Sequence, residues 1–153
     1  MGCLAVIAVG DHVMRRRQPS WIVAGMFDHP AHVATAVLIL LNLPERDPAW
    51  TKAYLAGSLL PDLDHIPLVL RPVKPSLDDP RPVSHCLLAV APFAAVSKAA
   101  AAGMLAHFAR DAGVGTGVPL LWPATRRSFR IPYVAYAAAC LILARRATLV
   151  DGL

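Results

Sequence analysis

The sequence predicts an all-α protein, a compact helical bundle, and three observations carry that reading. No stretch sustains the apolar–polar alternation of a half-buried strand. Apolar runs at 33–44, 86–108 and 131–144 are separated by Pro- and Gly-rich breaks. The chain is 56% hydrophobic and only 16% charged, against roughly 25% charged in ordinary soluble domains. Such a chain either buries most of its helices or leans on a membrane.

The 153 residues suit one domain with a real core, taken here as 28–153 behind an N-terminal segment at 1–27 that is expected to be flexible. "MGCLAVIAVG" is too short, and lacks the charged start, for a secretory signal. A first helix is expected over about 30–43, ending before the Pro- and charge-rich "LPERDP". A second is expected over about 48–60, with Asp47 as N-cap and Pro48 at its first position. It delivers the turn "PDLDH". Four prolines make "RPVKPSLDDPRPV" (71–83) an extended loop. A long helix over about 84–110 follows, capped by Ser84 and kinked at Pro92, then a glycine-rich loop from 111 to 123. The last helix is expected over about 131–146.

The lengths of the apolar runs fit buried core helices and helices docked in a bilayer equally. The net charge of +5 is clustered at Arg15–Arg17, at Arg126, Arg127 and Arg130, and at Arg145 and Arg146. These clusters read as solubilising flanks of apolar helices or as binders of anionic lipid head groups. No aromatic residues interleave with them, so no nucleic-acid partner is expected. Cys3, Cys86 and Cys140 are odd in number and lack CxxC spacing, which reads as reduced thiols.

Chemistry concentrates in the histidines and aspartates. Asp62, Asp64 and His65 sit inside an apolar run between Pro61 and Pro67, where ionised carboxylates are costly unless paired. His107 and Asp111 are four apart, so they stack on one helical face. His85 opens the helix after the proline loop. His29 with Asp28 reads as a helix-start cap, and His12 as exposed. So many imidazoles and carboxylates in so apolar a chain point to a metal site.

"GSLLPDLDH", "RPVSHCLL" and "HFARDAGVGTGVPLLWP" resemble the motifs of the membrane-bound metal-dependent hydrolase family, the YdjM-like inner-membrane hydrolases, over about residues 28–123. More distantly, the order of donors is similar to that of zinc-dependent phospholipase C and the fungal single-strand nucleases. The family's "HRGxTHS" is degraded here, with Pro80 and Pro82 replacing its first His and its Gly. No histidine follows His107, so a three-zinc cluster is not expected.

The resemblance implies His85, His107, Asp111 and Asp62 as ligands of a first ion, with Asp64 competing for the place of Asp62. His32, sharing Asp111, would hold a second ion or the attacking water. Asp64 would be general base or would orient a ligating histidine, His65 would support it, and Arg81 would steady an anionic group. One or two Zn²⁺ are implied, with Mn²⁺ or Fe²⁺ as alternatives. The implied activity is hydrolysis of a phosphoester or lipid-like ester, with a membrane lipid surface as partner. The implied location is the bacterial inner membrane, with the cytoplasm as alternative. A non-catalytic membrane or binding protein, with a structural metal or none, is the competing class.

Overall fold

This computed structural model describes residues 2–17, 21–44, 47–65 and 83–150, which form six α-helices and one 3-10 turn. Helix α1 (Gly2–Arg17) lies along α2 (Trp21–Leu40). Their backbones are close: a Cβ on Gly10 would meet Ala31 Cβ at 2.7 Å and Phe27 O at 2.8 Å. Ile7 and Asp11 are buried there as well. The segment expected to stand outside the bundle is therefore packed helix at residues 2–17. Helix α2 likewise starts at Trp21 and runs straight through Pro30, where a start was expected. Proline usually marks a first helical turn, and here it sits in an interior, at the loss of one backbone hydrogen bond.

Helix α3 (Pro48–Gly57) starts as expected, with the Asp47 carboxylate accepting from the Ala49 and Trp50 amides at 2.9 and 3.0 Å. It stops at Gly57, and the 3-10 turn Leu60–His65 follows. Residues 71–82 of the expected proline loop lie outside the described residues.

The helix expected over 84–110 is two helices. Helix α4 (Leu87–Val96) contains Pro92 without breaking there. The break falls at Ser97, whose extended backbone (φ −148°, ψ 103°) frees its hydroxyl to cap α5 (Lys98–Val114) through the Ala100 amide. Because α5 continues to Val114, Asp111 is helical and not in a loop. Helix α6 is Tyr133–Val150. Between α5 and α6, Val118 and Phe129 form one isolated antiparallel bridge, and the described residues contain no strand.

Helix α5 is the axis of the bundle, touching α1, α2, α3, α4 and α6. Small residues let its neighbours come close. A Cβ on Gly103 would lie 2.0 Å from Tyr54 O, and one on Gly57 2.1 Å from Ala100 O, so α3 and α5 cross backbone against backbone. The Tyr54 hydroxyl then ties α3 to α2 by donating to Ala36 O at 3.1 Å. Apolar side chains remain outside: Val96 of α4 is 90% exposed, and Val134, Leu141, Ile142 and Leu149 of α6 are exposed too.

Candidate metal centre

The α3–α5 crossing places the end of α3 against the middle of α5. His107 Nδ1 lies 2.9 Å from the Ser58 carbonyl, which can only accept, so Nδ1 carries the proton. Its Nε2 is then aimed at Asp62 Oδ1 (3.5 Å) and Asp111 Oδ2 (3.2 Å), yet makes no hydrogen bond although the residue is 0% exposed.

His85 is arranged in the same way. The Ser84 hydroxyl donates to Asp64 Oδ2 and accepts from His85 Nδ1 at 2.8 Å. That leaves Nε2 facing Asp111 Oδ2 at 3.4 Å. Ser84 is thus a link between Asp64 and His85, not the helix cap expected of it; Cys86 stands at the N-cap position of α4. From α2, buried His32 stacks on His107 with centroids 3.8 Å apart and planes 11° apart. Its Nε2 lies 3.3 Å from Asp111 Oδ1 and 3.6 Å from Asp28 Oδ2, and its Nδ1 has no hydrogen-bond partner.

His32, Asp62, His85, His107 and Asp111 therefore converge, drawn from α2, the 3-10 turn, the segment before α4, and α5. Asp64 joins them through Ser84. The side chain of His65 and all of Arg81 lie outside the described residues.

Sequence reasoning missed two neighbours and the layer behind them. Asp28 and His29 are in the interior of α2 and cap nothing: His29 Nε2 is 3.1 Å from Asp62 Oδ2. Arg110, fully buried, holds Asp28 Oδ1 at 2.8 Å and Asp11 Oδ1 at 2.6 Å and donates to the Tyr136 hydroxyl at 3.2 Å. A single arginine in an alanine-rich helix was the available signal, but its partners are far away in sequence.

Charge and spacing decide what the cluster can hold. Asp28, Asp62, Asp64 and Asp111 gather here, and buried Arg110 pairs with Asp28 among them. Protonated imidazoles or a bound cation would balance such a set of carboxylates. Burial pushes the Asp111 carboxyl up, but the His107 and His32 imidazoles overcome this and hold it well below the carboxylate range. Burial pulls His85 down, and hydrogen bonding to Asp111 and Asp64 overcomes that, raising it from 6.5 to about 9. A charge-assisted N–H···O⁻ contact is ordinarily ~2.7–2.9 Å. The imidazole–carboxylate contacts of Asp111 and His107 run from 3.2 to 3.5 Å. Donors ~2.0–2.1 Å from a tetrahedral ion stand ~3.3 Å from one another. The donor set, in kind and spacing, fits a divalent ion.

Fold and cluster together define an all-α bundle with a buried histidine–aspartate centre at its axis. The model of the YdjM inner membrane protein family matches residues 24–150, and the chain belongs to that family. No curated protein and no solved structure matches it. Membership puts the chain at a bacterial inner membrane, in accord with the exposed apolar side chains of α4 and α6. By length and composition one window among the described residues suffices to cross a membrane, Val23–Leu40; 44% of it is buried in the bundle.

Proposed function

We propose that the protein is a metal-dependent hydrolase of the inner-membrane surface, acting on a phosphoester or lipid-like ester. The observation that carries this reading is His107, whose Nδ1 is taken up by the Ser58 carbonyl while its buried Nε2 faces two carboxylate oxygens with no hydrogen bond of its own. A buried ring nitrogen and carboxylate oxygens that face one another without a hydrogen bond make a ready seat for a cation among them. His107, His85, Asp111 and Asp62 would hold the ion, Zn²⁺ by ligand type, with Mn²⁺ and Fe²⁺ as alternatives. When bound, it supplies Lewis acidity and brings the pKa of water down towards ~7.

The chain supplies the rest. Ser58 and Ser84 fix the two imidazoles so that each offers Nε2. Asp64, joined to His85 through the Ser84 hydroxyl, would take a proton from water. The exposed apolar helix α4 follows His85 directly, which sets the site beside a surface suited to lipid.

The test is elemental analysis of detergent-purified protein beside the His107→Ala/Asp111→Ala variant, followed by hydrolysis of bis-p-nitrophenyl phosphate. Metal in the wild type, absent from a folded variant, with chelator-sensitive turnover is the expected result. A folded, metal-free wild type from metal-replete medium overturns the proposal. Metal without turnover on any ester would leave a structural site and refute the hydrolase.

A further inference from the structure

We infer that the centre is dinuclear: Asp111 and Asp62 bridge two ions, and His29 and His32 of α2 hold the second. This rests on the metal reading above and adds a second position with its own ligands.

The ring planes are the first observation. A coordinated ion lies in the plane of its imidazole, along the nitrogen lone pair. His32 and His107 are stacked 3.8 Å apart and only 11° from parallel, so no ion close to either ring lies in both planes. By distance alone His32, Asp62 and His107 fall within 4.8 Å of one another and look like one site. The stacking rules that out and calls for two ions, side by side at about the separation of the rings. Carboxylate-bridged two-metal sites have ions ~3.5–4 Å apart.

The carboxylates are the second observation, and they are turned to match. Asp111 gives Oδ2 to His85 (3.4 Å) and His107 (3.2 Å), and Oδ1 to His32 (3.3 Å). Asp62 gives Oδ1 to His107 (3.5 Å) and Oδ2 to His29 (3.1 Å). Each carboxylate thus divides its oxygens between a His85/His107 side and a His29/His32 side. A single ion at His85 and His107 would use one oxygen of each, and the other two would then meet imidazoles as ion pairs alone. Asp28 flanks the second position, with Oδ2 3.6 Å from His32 Nε2 while Arg110 holds its Oδ1. His32 is 1% exposed and His29 46%, so the second position is reached from the side of α2 that meets solvent.

Two ions change what the site can take. Paired cations bridged in this way suit an anionic ester whose two non-bridging oxygens span them, which is the geometry of a phosphodiester or phosphomonoester.

The experiment uses the full chain in detergent, stripped with chelator and reloaded with Mn²⁺ alone. Bound metal is counted by elemental analysis, and the spin coupling is read by electron paramagnetic resonance. About two ions per chain with an exchange-coupled spectrum are expected for the wild type. His29→Ala, at a half-exposed helical position, keeps its helical circular dichroism, weakens the second ion about tenfold or more, and gives the spectrum of an isolated ion. One ion in the wild type, or two without coupling, overturns the dinuclear centre and leaves the mononuclear hydrolase standing. Two coupled ions retained by His29→Ala overturn the role of His29. No ion at all refutes the metal reading itself.

Discussion

Raising the pH from 6.5 to 9 carries His85 through its titration, alongside His32, which Asp28 and Asp111 raise to about 10, and His29, which Asp62 raises. His85 is 7% exposed in its side chain, and its ionisation is raised from 6.5 to about 9 by Asp111 and Asp64 against the pull of burial. Below pH 6.5 the imidazolium is charged in folded and unfolded chains alike, and its ion pairs contribute in full. Between 6.5 and 9 only the folded chain binds the proton, and the contribution declines by ~1.4 kcal/mol per pH unit. Above 9 it is gone. The share of His85 is about 3 kcal/mol, or about 10 °C in the thermal midpoint of a chain this size, and His32 adds to the decline in the same direction. Asp111 acts at the other end: its contribution is present above its ordinary value of 3.8 and is lost as the pH falls. In chelator, then, the midpoint should be highest between ~4 and 6.5 and fall steadily towards pH 9. Zinc reverses the upper limb. It needs His85 neutral, so its affinity rises up to ~tenfold per pH unit over this range, and the loaded protein should not lose stability there. Melting curves at half-unit intervals of pH, with chelator and with zinc, check both limbs. A flat profile in chelator refutes the charged His85. Parallel declines with and without zinc refute the idea that metal displaces its proton.

Three substitutions extend the same reasoning. Ser84→Ala removes the hydroxyl between Asp64 and His85 and should weaken metal binding ~10–100-fold with the fold intact, as read by competition against a chromogenic chelator. Arg110→Met strands Asp11 and Asp28 without their cation and should cost about 3–5 kcal/mol in denaturant unfolding. Gly103→Ala drives a methyl to 2.0 Å from Tyr54 O and should cost ~1–3 kcal/mol while lowering metal affinity, because Ser58 and the Asp62 turn shift against His107. Unchanged metal affinity in that variant would show that the crossing does not position the site.

Legibility in the sequence followed the range of the interactions. The Asp47–Pro48 start of α3 is a local signal and needed no tertiary knowledge. A metal site was legible because imidazole and carboxylate are scarce in an apolar chain and because His107 and Asp111 share a helical face, while the resemblance to the hydrolase motifs picked out the five donors. Asp28 and His29 were obscured by Pro30, whose usual place is a first turn, so the residues before it looked like a cap. Ser84 was misassigned for a related reason: it can cap as readily as Ser97, and only the fold shows that Ser97 does so while Ser84 meets a carboxylate. Arg110 was illegible in principle, since Asp28 and Asp11 are 82 and 99 residues away in sequence. Helix α1 went unread with it, being joined to the bundle through that same pair and the contact at Gly10.

The glycine crossing of α3 and α5 also divides the centre into a preset part and a part that closes on it. Peptide backbone touching peptide backbone leaves no compressible side chain between, so the two helices form one stiff body. Ser58 and Asp62 follow directly from one arm of it, and His107 and Asp111 belong to the other. His85 does not ride on that body. It arrives on the segment 83–86, moored by the Leu87 amide to Leu120 O at 2.9 Å and by the Cys86 thiol to Val83 O at 3.6 Å. An ion would therefore meet Asp62, His107 and Asp111 as one preset jaw, closed by His85 from the segment 83–86 and by His29 and His32 from α2.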